Sequence, residues 1–252
     1  MKNPGWRGWG WLLLAGLAVS LGLNCFLAGT LRQYYRQQLA AQIWPAAADA
    51  HPVITGTTNG FNRTILLVGD SRMAEWPLPA PPGTRLVNAG IRRATTAQIM
   101  PQLPGWLDSF HPDLILIQAG INDLKYLGLE PQRSEELISQ TCNHLTNLVS
   151  QCLSRQTCEV ILLPVWPPTR PDWQRQLVWN AAIPESVDRL NQRLLTLTNR
   201  EPRLQVMDLF SLAGLRPGPE TYQDTLHLRP EAYARLTRTL TNELHWSSVA
   251  IP

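Results

Sequence analysis

Two patterns alternate along this chain. Short, mainly apolar runs at 65–68, 85–89, 114–118, 160–165 and 204–210 are separated by longer stretches whose apolar positions recur every three or four residues. Runs that lack a regular polar alternation are what strands covered on both faces look like. Between them, Leu137, Ile138, Leu145, Leu148, Val149 and Cys152 fall on one face of a helix predicted over 134–154. Val187, Leu190, Leu194 and Leu197 repeat the pattern after Pro184, and Tyr233, Leu236, Leu240 and Leu244 after Pro230, each proline standing near a helix start. This alternation predicts an α/β domain built on a five-stranded, parallel, doubly wound sheet.

The N-terminal stretch follows a different pattern. It carries no charge from Gly8 to Leu31, and its centre is rich in Leu, Ala, Gly and Val, enough for a helix to cross about 30 Å of hydrocarbon. Trp6, Trp9 and Trp11 at one end and Tyr34 and Tyr35 at the other suit the two membrane interfaces. The apolar segment exceeds the roughly 7 to 15 residues of a signal-peptide core, and no clear small-x-small site follows it. The expectation is therefore an uncleaved single-pass anchor over 1–31, entering the membrane through residues 11–31. A juxtamembrane segment and linker over 32–60 follow, then a folded domain over 61–252. The charges flanking the span are nearly tied, and the expected orientation leaves the domain outside the cytoplasm, periplasmic or extracellular.

Charge and cysteines add little to this division. Lys2, Arg7, Arg32 and Arg36 against Asp49 account for the whole net charge of +3, so residues 61–252 are formally neutral and no nucleic-acid partner is expected. Cys142 and Cys152 lie about 15 Å apart along one predicted helix, too far to bond. Cys152 and Cys158 either close a short disulfide loop or remain buried thiols.

In a doubly wound sheet the functional crevice lies beyond the carboxyl ends of the strands. Beyond the first run comes Gly69-Asp70-Ser71, beyond the second Asn88-Ala89-Gly90, and beyond the third Gly120-Ile121-Asn122-Asp123. The loop before the last helix carries Asp224-Thr225-Leu226-His227. A serine hydroxyl becomes a nucleophile when a base takes its proton and a carboxylate orients that base. Ser71, His227 and Asp224 supply that set, and the backbone N–H groups of Ser71 and Gly90 with the Asn122 amide are candidate donors to an oxyanion. Asp70 and Asp123 are assigned to holding turns. No G-x-S-x-G elbow, phosphate-binding G-x-x-x-x-G-K-[ST] loop or H-E-x-x-H zinc helix occurs. His51, His111, His144 and His245 are scattered and read as solvated or core residues.

These four blocks, in this order and at this spread, resemble those of the SGNH hydrolases, also called the GDSL esterase and lipase family. Asn191 in V-D-R-L-N-Q-R-L and the run H-L-R-P-E-A-Y-A-R-L resemble its later helices. The resemblance implies a three-layer, flavodoxin-like fold and a serine hydrolase or acyltransferase that needs neither metal nor other cofactor. Carried over residue by residue, Ser71 is the nucleophile, His227 the base, Asp224 its partner, and Ser71, Gly90 and Asn122 the oxyanion hole. Where many relatives have a second glycine soon after the one in block two, this chain has Arg92 and Arg93, candidate contacts to the substrate. The connection over 166–184 holds three tryptophans and two arginines; Trp166 is a candidate member of a substrate-binding wall, the alternative being that the tryptophans pack the loop onto the domain.

The expected function is a membrane-anchored serine esterase acting on an acyl ester of a small molecule, lipid or acylated glycan. One alternative keeps the chemistry but makes the protein an O-acyltransferase or deacetylase of cell-envelope glycans. Another is a catalytically silent binding module on the same fold.

Overall fold

The computed structural model describes residues 5–43, 51–56, 60–172, 175–177, 179–198 and 201–246. The chain divides into two compact units, Met1–Ala40 and Ala41–Pro252. The first is helical, formed by most of α1 (Gly5–Ile43). Within it Trp9–Tyr35 has a mean hydropathy of 2.0 and is long and apolar enough to cross a membrane, with Trp11, Leu13 and Phe26 exposed.

The second unit is an α/β fold around one six-stranded sheet. Its strands are β1 (Val53–Gly56), β2 (Arg63–Gly69), β3 (Thr84–Asn88), β4 (Leu114–Gln118), β5 (Glu159–Leu162) and β6 (Leu204–Val206), in the order β1-β3-β2-β4-β5-β6. The five strands β2–β6 run parallel, as the apolar runs predict. The sixth was not expected: β1 pairs antiparallel with β3, in residues assigned from the sequence to the linker. Its Val53 and Ile54 are 60% and 48% exposed, so β1 is held mainly by backbone pairing along the open edge of β3 and carries no burial pattern to read. The rest of the expected linker, 44–50 and 57–59, lies outside the described residues. Two runs also end three or four residues earlier than expected. β5 stops at Leu162, and β6 stops at Val206 because Asp208 caps a short helix, its carboxylate accepting from the Ser211 N–H and hydroxyl.

The helices of this unit are α2 (Ser71–Ala74), α3 (Thr96–Ile99), α4 (Leu103–Phe110), α5 (Ile121–Leu124), α6 (Ser134–Leu153), α7 (Ala182–Leu195), α8 (Leu209–Leu212) and α9 (Pro230–Glu243). Both faces of the sheet are covered. Ile65, Leu67, Leu86, Leu114, Leu116 and Ile161 pack with Trp76, Trp166, Met207 and the inward face of α9, namely Tyr233, Leu236 and Leu240. Their neighbours Leu66, Val68, Val87, Ile115, Ile117 and Val160 are equally buried and, by the pleat, point to the opposite face. The chain leaves β2 for β3 on one side and later returns to β4 on the other, so a topological switch point opens beyond the carboxyl ends of β2 and β4. Cys152 and Cys158 are buried free thiols, and burial pushes the Cys158 thiol up to about 11.

Candidate active site

At the switch point β2 turns directly into α2. Asp70 is the N-cap of that helix, its Oδ1 accepting from the Arg72 N–H at 2.9 Å, and Ser71 is the first helical residue. The turn has no room for a side chain at position 69, where a Cβ would lie 2.1 Å from the Gln118 carbonyl oxygen. Gly90 is constrained in the same way, since a Cβ there would meet the Ala74 nitrogen at 2.3 Å. That close approach lets the loop after β3 lie against α2, where Asn88 donates to the Met73 carbonyl and Ile91 N–H to the Gly69 carbonyl, both at 2.9 Å.

Ser71 Oγ lies 3.1 Å from His227 Nε2, and His227 Nδ1 lies 2.7 Å from Asp224 Oδ2. Asp224 Oδ1 accepts the N–H groups of Leu226 at 2.7 Å and His227 at 2.8 Å, which fixes the carboxylate against the loop that carries the imidazole. Partial burial pushes the Asp224 carboxyl up, but the hydrogen bonds from the His227 ring and the two backbone N–H groups outweigh it, so its pKa falls below the usual carboxylate value. An ionised Asp224 accepts a hydrogen bond from Nδ1–H, which leaves the Nε2 lone pair toward the Ser71 hydroxyl.

The predicted oxyanion donors differ in what their hydrogens already do. Ser71 N–H is among the first N–H groups of α2, which have no acceptor within the helix. Asn122, on α5 beyond β4 and 4% exposed, donates one amide hydrogen to the Ala94 carbonyl at 2.9 Å and keeps the other. Gly90 N–H donates to Asn88 Oδ1 at 3.0 Å. Beside this turn lies a cavity of about 510 Å³ lined by His51, Val53, Ala74, Asn88, Gly90, Ile91 and Arg92.

Trp166 is not on a substrate-facing wall. It is 1% exposed and sits edge-on to Trp76 and Tyr233, with ring centroids at 5.8 and 6.2 Å, so it packs its loop onto the core. Trp173, in the same loop, lies outside the described residues. Arg92 pairs with Glu75, whose carboxylate also stands 4.0 Å from His227 Nε2. Arg93 is exposed, with a left-handed backbone (φ 65°).

Arg72 was missed in the sequence. It is fully buried; its Nε donates to the Leu226 carbonyl at 3.0 Å, its Nη1 to the Trp166 carbonyl, and its own carbonyl accepts the Tyr233 hydroxyl at 2.8 Å. One guanidinium thus ties the helix of Ser71 to the residue before His227. The available signal was a cation directly after Ser71, three residues beyond Gly69, where an apolar strand ends. Asp70 is fully buried too, and burial holds its pKa above the usual value, against the opposing charges of Arg72, Lys125 and His227. Asp123 accepts the Thr96 N–H and, at 2.5 Å, the Thr96 hydroxyl, which in turn lies 2.9 Å from His144 Nδ1; burial pushes Asp123 up to about 6. Among the described residues no three His, Cys, Asp or Glu side chains are grouped to hold a metal ion.

A sheet wound about a switch point, with a serine, a histidine and a carboxylate in one hydrogen-bonded line, has the design of an α/β serine hydrolase. The chain belongs to the GDSL-like Lipase/Acylhydrolase family, whose sequence model matches residues 56–235. Among solved structures, its fold is similar to that of a GDSL-like lipase from Bacteroides thetaiotaomicron, at 16% identity and a TM-score of 0.57 over 85% of this chain and 97% of the other. It is similar also to an acetylxylan esterase from Geobacillus stearothermophilus, at 17% identity and a TM-score of 0.54 over 77% of this chain and 100% of the other. A third is the lipase/acylhydrolase from Enterococcus faecalis, at 20% identity and a TM-score of 0.52 over 72% and 95%. No protein of curated function matches the chain in sequence.

Proposed function

We propose that this acylhydrolase is a membrane-anchored serine esterase in which Ser71 forms an acyl-enzyme. The observation that carries the reading is the continuous line from Asp224 through His227 to Ser71, at 2.7 and 3.1 Å. Ser71 Oγ attacks the ester carbonyl as its proton passes to His227 Nε2, and the Asp224 carboxylate steadies the imidazolium. The negative charge on the former carbonyl oxygen is met by Ser71 N–H and the second amide hydrogen of Asn122, with Gly90 N–H shared between Asn88 and the oxyanion. Collapse of the intermediate expels the alcohol, which takes the proton from His227. Water then gives a proton to His227 and attacks the acyl carbon; the second tetrahedral intermediate releases the acid and returns the proton to Ser71.

Residues 1–31 act as the anchor and 61–252 as the catalytic domain, extended by β1, on the non-cytoplasmic side. The apolar span Trp9–Tyr35 supports the anchoring. A second reading, deacetylation of an envelope glycan, has its support in the fold shared with an acetylxylan esterase. The test uses the full-length protein in detergent micelles. A serine-directed fluorophosphonate should label it, and Ser71→Ala should abolish the label. Labelling that survives in Ser71→Ala refutes the assignment of the nucleophile. No labelling of the parent protein favours the silent binding module. Acetate release from acetylated glycans against release from simple esters separates the two enzyme readings. A reporter fused after Pro252 that is active only in the cytoplasm would overturn the orientation.

A further inference from the structure

Three cations, Arg93, Lys125 and Arg175, come from three different loops, and Lys125 lies close enough to feel the charges of the other two. Arg93 lies three residues after Gly90, and Lys125 three residues after Asn122. Arg175 lies in the 3-10 turn Arg175–Leu177 of the connection that follows β5. The loops are tied to one another. Asn122 donates to the Ala94 carbonyl at 2.9 Å and Thr96 N–H to Asp123 at 3.0 Å, which joins the Arg93 loop to the Lys125 turn. Asn180 Nδ2 donates to the Leu127 carbonyl at 2.8 Å, which docks the Arg175 connection on the same turn.

Their charge is only partly balanced by the carboxylates of the described residues around them. Arg175 Nη1 is buried with no hydrogen-bond partner among the described residues. Lys125, half-buried, feels the charges of Arg175, Arg72 and Arg93 against Asp70 alone, and burial first, then the cations, bring its ammonium down to about 8. Counting Asp70, Asp123 and Asp172, whose Oδ1 accepts the Arg175 N–H at 2.8 Å, the four cations Arg72, Arg93, Lys125 and Arg175 still outnumber the three carboxylates. Arg92 is outside this surplus because Glu75 neutralises it. An unpaired, desolvated guanidinium nitrogen is costly, and an oxyanion offers it the planar acceptor it lacks.

We propose that Arg93, Lys125 and Arg175 form a subsite for an oxyanion substituent, carboxylate or phosphate, carried by the ester substrate away from its reacting carbonyl. This rests on Ser71 being the nucleophile, and the subsite lies on the Gly90 and Asn122 side of it. The preferred substrate is then an acidic ester, such as an acylated uronic acid or an acylated phosphate-bearing glycan or lipid, in place of a neutral one.

The test measures binding separately from turnover. Full-length Ser71→Ala protein in detergent micelles is titrated calorimetrically with 4-acetoxybenzoate, 4-acetoxyphenyl phosphate and the neutral 4-acetoxybenzamide. The expected result is that at least one anion binds about tenfold or more tightly than the neutral ester, and which one identifies the oxyanion. Arg93→Gln with Arg175→Gln should erase that preference, Lys125→Gln should weaken it, and Arg155→Gln, which removes a surface charge paired with Asp108, should leave it intact. Equal affinity for the three probes, no binding of any of them, or a preference that survives the double substitution overturns the proposal. Failure of the hydrolase reading shows elsewhere, as absence of fluorophosphonate labelling in the parent protein.

Discussion

Replacing Arg72 by methionine tests whether the serine and histidine loops are held together by one buried guanidinium. Methionine fills most of the volume but donates nothing, so the carbonyls of Leu226 and Trp166 lose their donors in the interior. Each orphaned carbonyl costs about 1 to 3 kcal/mol. Loss of the cation also leaves Asp70, fully buried and with no partner for Oδ2 among the described residues, less well compensated. Arg72 Nη2, likewise without a partner among the described residues, disappears with the side chain and returns part of this. The net expectation is a loss of about 3 to 5 kcal/mol, in the range for breaking a buried charge network. For a domain of this size that lowers the unfolding midpoint by about 6 to 20 °C. Tryptophan fluorescence reports it directly, since Trp166 lies against the broken contact. Well below the midpoint, fluorophosphonate labelling of Ser71 should slow by about 10²-fold, the scale of a misplacement near 1 Å. Arg72→Lys should fall between, since it keeps the charge but not the fork geometry. A midpoint within about 2 °C of the parent, less than a 1 kcal/mol change, refutes the energetic reasoning. Unchanged labelling with a lowered midpoint refutes the positioning role alone.

Three further outcomes follow from the same geometry. Asp224→Asn should cut kcat for ester hydrolysis by about 10⁴, because an amide no longer holds the Nδ1–H tautomer, and steady-state kinetics on a simple acetate ester measures it. Asn122→Ala should lower kcat by about 10² to 10³ with little change in KM, as expected for a donor acting on the oxyanion, and also read by steady-state kinetics. Asp123, raised from 3.8 to about 6, binds a proton more tightly folded than unfolded. Its contribution is therefore complete below about pH 4 and is lost as pH rises through about 6, a difference of about 3 kcal/mol. Asp123→Asn should flatten that stretch of the stability–pH curve in thermal unfolding measured from pH 4 to 7; a slope unchanged by the substitution would contradict the assignment.

Much of the molecule was readable before folding was considered. The runs at 65–68 and 114–118 lie in strands buried on both faces, and a strand of that kind cannot alternate polar with apolar residues. The helices at 134–153, 182–195 and 230–243 follow from apolar residues at helical spacing, which the burial of Leu145, Leu190 and Leu236 reproduces. What escaped was short or held by pairing alone. β1 is four residues long with both faces exposed, so neither period nor burial marks it. The run 204–210 reads as one strand because Met207, Leu209 and Phe210 are apolar, yet a single carboxylate cap at Asp208 turns its second half into a helix start. Trp166 could be placed in its loop but not on a side of it; whether an indole meets solvent or core depends on what folds over it, here Trp76 and Tyr233.

The same division runs through the site. That Ser71, Asn122, Asp224 and His227 would lie at strand ends sharing one crevice could be read from the sequence, because local turn chemistry and strand order are written in nearby residues. Which hydrogens are spoken for could not. That Gly90 N–H is donated to Asn88, that Arg92 is neutralised by Glu75 while Arg175 keeps a buried nitrogen with no partner among the described residues, and that Arg72 bridges residues 154 and 94 positions away are decided only by the tertiary structure. A hydrogen bond or an uncompensated charge is fixed by distances of an ångström or less between segments that the chain brings together only on folding.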